Sequence, residues 1–135
     1  MSHKIADIEG IGPSLSETLA NAGVKTVEAL LAQGASSSGR ADIARRSGLD
    51  EGRILKWVNM ADLYRVRGIG SEYAELLEAA GVDTVRELAT RNADNLHAKI
   101  LEVNAQRNLV RKAPTLEQVR KFVAHAETLK PMVQY

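Results

Sequence analysis

The chain has 135 residues, 44% of them hydrophobic and 26% charged, with a net charge of +1 and no cysteine. That is enough chain for one core or two small ones sharing an interface, and it excludes a disulfide framework and thiolate chemistry. No stretch approaches the ~18 apolar residues of a membrane helix, the first residues lack a signal peptide's apolar segment, and the net charge alone does not announce a nucleic-acid binder, so a cytoplasmic protein is expected.

Taken in chain order, residues 2–7 read as a short entry helix. Ile8 ends it, and Gly10-Ile11-Gly12 makes a tight hairpin in which glycine can take positive φ. Pro13 suits the first position of a helix over residues 13–22, where its missing N–H costs nothing. Leu15, Leu19 and Ala22 give that helix a buried stripe, and Gly23 sits where a left-handed cap is wanted. Thr26 caps a helix over 27–33 that stops at Gly34. Residues 35–39, rich in serine and glycine, read as the most flexible loop. A short helix over 41–47 closes at Gly48. Asp50 then caps a longer helix reaching Tyr64, with Ile54, Trp57, Val58, Ala61 and Tyr64 on its apolar face.

The second half repeats the plan. A hairpin at Gly68-Ile69-Gly70 leads into helices over 71–80 and 85–91, with Tyr73, Leu77 and Ala80 inward, Gly81 as cap and Thr84 opening the next helix. Asp94 is expected to cap another helix, carrying Leu96, Ile100, Val103 and Leu109. Pro114 breaks the run, and Thr115 caps a last helix with Leu116, Val119, Phe122, Val123, Ala126 and Leu129. Aromatic residues are few and no alternating strand pattern occurs, so the fold is read as all-α.

Gly10, Ile11, Gly12, Glu17, Leu19, Ala22, Gly23, Val24, Thr26 and Val27 map without a gap onto Gly68, Ile69, Gly70, Glu75, Leu77, Ala80, Gly81, Val82, Thr84 and Val85. The chain is therefore an internal duplication of one small helical unit. The pattern hydrophobic-x-Gly-hydrophobic-Gly before an Ala/Leu-rich helix resembles the helix-hairpin-helix family. With the trailing Gly-Val-x-Thr-Val it resembles a bacterial family of duplicated helix-hairpin-helix units. The resemblance implies two tandem units, residues 1–64 and 65–135, packed face to face with pseudo-twofold symmetry as one compact domain. The helix over 50–64 would bridge them, with Trp57 in a shared core.

Three features are candidates for function. The first is phosphate binding at the hairpins, because backbone N–H groups at a helix's positive end form an anion site that is blind to base sequence. Gly10, Gly12, Gly68 and Gly70 would supply donors, with Ser14, Arg65, Arg67 and Ser71 nearby, and paired hairpins could grip both strands across a minor groove. DNA-binding members of the family often carry Lys or Arg just after the second glycine; here Pro13, Ser14, Ser71 and Glu72 stand there, and Glu72 would compete for the same amides. Both hairpin segments are net acidic, and Glu9 occupies the place that Arg67 fills in the second. The second candidate is a helix-turn-helix over 42–57, set against two capped helices in a bundle. The third is a basic patch of Arg107, Arg111, Lys112, Arg120 and Lys121, set against ordinary solvated helix faces.

Catalysis finds no support in the pattern. His3, His97 and His125 show no metal-ligand spacing, and no nucleophile elbow or lysine-bearing phosphate loop is present, so no cofactor and no metal are expected. The reading is a non-catalytic binding module contacting nucleic-acid backbone. Its alternative is a protein-interaction or scaffold module, monomer or homodimer, whose hairpins only brace the fold.

Overall fold

Most helices here begin where a polar side chain can take an amide that the helix itself leaves unpaired. The computed structural model describes residues 3–135. Among the described residues it contains eight α-helices and no strand beyond an isolated antiparallel bridge between Lys4 and Thr26. A 3-10 turn, Ile5–Asp7, stands where an entry helix over 2–7 was expected; Ser2 lies outside the described residues. The helices are α1 (Pro13–Asn21), α2 (Val27–Gly34), α3 (Ser37–Ser47), α4 (Glu51–Leu63), α5 (Ser71–Ala79), α6 (Val85–Ala89), α7 (Ala93–Arg107) and α8 (Leu116–Thr128).

The chain divides into two units, Met1–Asp62 with Met132–Tyr135, and Leu63–Pro131. The expected boundary after residue 64 thus falls two residues earlier, and the final four residues belong with the first unit rather than the second. Hydrogen bonds explain the return. The buried Arg40 donates to Gln134 O (2.6 Å), Gln134 N–H donates to Ala35 O (2.7 Å), and Val133 is buried. Within the first unit α3 packs on α1 and α2, and the 3-10 turn packs on the same two helices. Within the second, α8 packs on α6 and α7, and α5 packs on α7.

Each unit buries its own aliphatic set, Ile8, Leu19, Val24, Leu30 and Ile43 in one and Val66, Leu77, Val82, Leu88 and Ile100 in the other. Thr26 Oγ1 accepts from Ala29 N–H (3.0 Å) and Thr84 Oγ1 from Glu87 N–H (3.2 Å), so α2 and α6 open alike. Gly23 (φ 87°) and Gly81 (φ 94°) close the preceding helices in left-handed conformation, which costs glycine nothing.

Three local expectations are corrected. Residues 35–39 are not a loop: Ser36 Oγ accepts from Gly39 N–H (3.0 Å), and α3 begins at Ser37. Asp94 does not cap α7; Asn92 does, accepting from Asn95 N–H (3.0 Å), and Asp94 lies in the first turn. Leu109 is not on the apolar side of α7. Asn108 ends the helix at φ 54°, and the Asn104 amide bonds both N–H and C=O of Val110 (3.0 and 3.1 Å), turning Val110 inward instead.

Candidate nucleic-acid interface

The two hairpins are built by burial on one side and glycine on the other. Ile8 and Ile11 are buried, and Ile11 N–H donates to Ile8 O (3.1 Å); Val66 and Ile69 repeat this with the same bond at 3.1 Å. The intervening Gly10 and Gly68 hold φ of 93° and 92°. That left-handed bend lets apolar residues anchor the turn while the glycines face solvent.

Gly12 and Gly70 are the N-caps of α1 and α5, in extended backbone, and both are exposed. Their carbonyls accept the first helical bonds, from Ser16 N–H and Ala74 N–H (both 2.9 Å). At α2, α3, α6, α7 and α8 a side-chain oxygen of the N-cap takes an early amide. Glycine has no side chain to do so, and a Cβ built at either position would meet nothing within 4 Å. These two helix mouths are sterically open and carry the positive end of the helix dipole.

Their charged surroundings differ. Glu9 is exposed beside the first tip and Arg67 beside the second, where Arg67 N–H donates to His125 Nδ1 (3.0 Å). Ser14 is exposed, and its carbonyl accepts from Thr18 Oγ1 (3.1 Å). Ser71 is half-buried at the start of α5; with Gly68, Gly70, Glu72 and Tyr73 it lines a shallow depression of about 340 Å³. Arg65 is engaged otherwise: its guanidinium donates to Lys130 O (2.6 Å) and so holds the segment after α8.

The other two candidates are placed plainly. In the basic patch Arg120 pairs with Asp94 (3.1 Å) and Lys121 with Glu117 (3.9 Å), whereas Arg107 ends α7 and Arg111 and Lys112 are exposed in the link to α8. In the helix-turn-helix segment the Arg46 guanidinium donates to Ala22 O and Gln33 Oε1, and Arg45 pairs with Asp42 (2.7 Å). Those two arginines hold the Asp42 carboxyl below the ordinary aspartate range, the Arg45 hydrogen bond leading. Arg53, on the would-be recognition helix, stacks over the Trp57 ring at 5.0 Å. These contacts serve packing and helix pairing.

Sequence reasoning missed one feature. Beside the second hairpin a cleft of about 460 Å³ is lined by Arg67, Gly68, Gln118, Lys121, Phe122, Ala124 and His125. His125 reads as an isolated histidine in sequence, because its partner Arg67 is far away along the chain. The available signal is the sequence repeat, in which Phe122-Val123 stands in the place of Trp57-Val58.

Among the described residues no group of three or more His, Cys, Asp or Glu side chains is placed to hold a metal ion, and no helix is long and apolar enough to cross a membrane. A family model described as a domain of unknown function (DUF4332) matches residues 9–129. No curated protein and no solved structure matches the chain.

Proposed function

The chain belongs to the DUF4332 family, and from its own geometry we propose that it is a non-catalytic module of two tandem helix-hairpin-helix units that grips nucleic-acid phosphates through its glycine hairpins. The observation that carries this reading is the pair of helix mouths at Gly12 and Gly70, each exposed, capped by glycine and sterically open. Phosphate oxygens are the complement of such amides, and contacts of this kind position a strand without reading its bases. The tip of the second hairpin is the more favourable in charge, because Arg67 stands there in place of Glu9, although Glu72 in the first turn of α5 opposes it.

The test is a binding titration with duplex and single-stranded DNA at low and moderate salt. Gly70→Asp is the informative variant, because there is room for the side chain and aspartate is a preferred N-cap. Its carboxylate takes the amides intramolecularly, so stability should hold or rise by a few tenths of a kcal/mol while DNA binding is lost. Arg67→Glu should weaken binding with the helical signal intact. No association of the wild-type protein at low salt would overturn the reading in favour of a protein-interaction module, and light scattering would then ask whether the chain self-associates.

A further inference from the structure

We propose that the cleft between the second hairpin and α8 receives one unpaired, unstacked nucleotide base of the strand whose phosphate lies at Gly70. The inference rests on the phosphate-binding reading and adds to it a preference for unpaired over fully duplexed ends.

The cleft, about 460 Å³, falls within the size range of small-ligand sites. It shares Gly68 with the 340 Å³ depression at the mouth of α5. A strand held at that mouth therefore passes directly beside the cleft. The lining is mostly apolar and carries donors on Arg67, Gln118, Lys121 and His125, a combination that suits a base with its apolar faces and acceptor-bearing edge. His125 Nδ1 accepts the Arg67 amide, so in the neutral ring Nε2 carries the proton and donates. Gln118 Oε1 accepts Thr115 N–H in the capping box of α8, which leaves its NH₂ group as the free end. Arg67 and Lys121 add positive charge, and no carboxylate is among the lining residues, although Glu117 approaches Lys121 at 3.9 Å from outside. Donors of this kind match the carbonyl oxygens and ring nitrogens of base edges, which an unpaired base presents. Phe122 also lines the cleft, its ring set against Tyr73 with centroids 6.1 Å apart.

The first unit lacks this arrangement for a visible reason. With Trp57 in the place of Phe122, Arg53, Asn59 and Met60 stand in the places of Gln118, Ala124 and His125. Arg53 lies over the Trp57 ring, and Met60 is buried. The ring face is covered by the chain's own guanidinium, so the duplication yields two phosphate mouths but one base cleft.

Three labelled ligands decide it: a blunt duplex, the same duplex with a short single-stranded overhang, and the single strand alone. They are titrated by fluorescence anisotropy against the wild type, Ala124→Trp and Gly70→Asp. Ala124 is exposed at the cleft, so tryptophan fills the space without entering the core. The wild type should bind the overhang and the single strand about tenfold more tightly than the blunt duplex, the scale of one or two net hydrogen bonds to a base edge. Ala124→Trp should lose that preference and keep the blunt-duplex affinity. Ala124→Glu, which repels rather than fills, guards against a mere packing change and should do the same. Equal wild-type affinity for the three ligands, or a preference that survives both Ala124 variants, would overturn the base cleft while the phosphate reading stands. Binding of none of them at low salt would overturn both.

Discussion

Arg40 shows how one buried cation can be structural. It is 6% exposed, and its guanidinium donates to Gly34 O (2.9 Å), Ala35 O (3.1 Å) and Gln134 O (2.6 Å). The planar fork spreads donors over separate carbonyls in a way an ammonium does not. Replacing it with alanine leaves the buried Gly34 carbonyl and two part-buried ones without their donor, so Arg40→Ala should cost roughly 2–4 kcal/mol in urea unfolding. Amide exchange at Gln134 should speed up with it. Glycines at this scale divide into two kinds. A Cβ on Gly39 would sit 1.9 Å from Gln33 O, whereas one on Gly12 or Gly70 meets nothing within 4 Å. Gly39→Ala should therefore lower stability by roughly 3 kcal/mol, the top of the overpacking range. Gly12→Ala and Gly70→Ala should stay within about 1 kcal/mol, a contrast that thermal melts will show.

At the level of elements, caps decided where sequence reading succeeded. Thr26, Thr84 and Thr115 were legible because each precedes an apolar helical run and takes an amide three residues on. Residues 35–39 were not legible, because serine and glycine spell a loop and a capped first turn equally well. What decides is contact: Gly39 lies against the Gln33 carbonyl, information that no local pattern carries. The cleft at Phe122 was hidden for the same reason, being assembled from segments distant in sequence. Another tie joins the N-terminal segment to α2. Val27 N–H donates to His3 O (3.0 Å), and Glu28 accepts from His3 N–H (2.8 Å) and lies 2.7 Å from its Nδ1. Burial works to raise the Glu28 pKa, but the His3 ring and amide bonds outweigh it and hold the carboxyl below the ordinary glutamate range. A depressed folded value means that the stabilisation is present above the unfolded midpoint and is lost as pH falls through the folded one. Both side chains are half exposed, so the contribution is at most about 1 kcal/mol. His3→Ala removes the ring but keeps the amide, so it should shrink part of that loss of stability on acidification and move the Glu28 carboxyl titration, followed by NMR, only part of the way back toward the ordinary range.

On the scale of the molecule, the two Gly-Ile-Gly turns share a backbone conformation and differ in charge. The turn geometry agrees between copies to within a degree at Gly10 and Gly68, yet one tip carries Glu9 and the other Arg67. If phosphate capture is the shared task, Glu9→Arg should strengthen DNA binding. It should also steepen the salt dependence by about 0.9 in log–log slope, one more phosphate neutralised, as read from titrations between low and moderate salt. The strap formed by Met132–Tyr135 across the first unit has a temporal consequence. On the ribosome, residues 63–131 leave the exit tunnel before that strap does. The earlier-made half must therefore wait, with the Arg40 guanidinium short of one carbonyl, until its neighbour has already been translated. A released chain ending at Pro131 should accordingly present a protease-sensitive first half and a resistant second one.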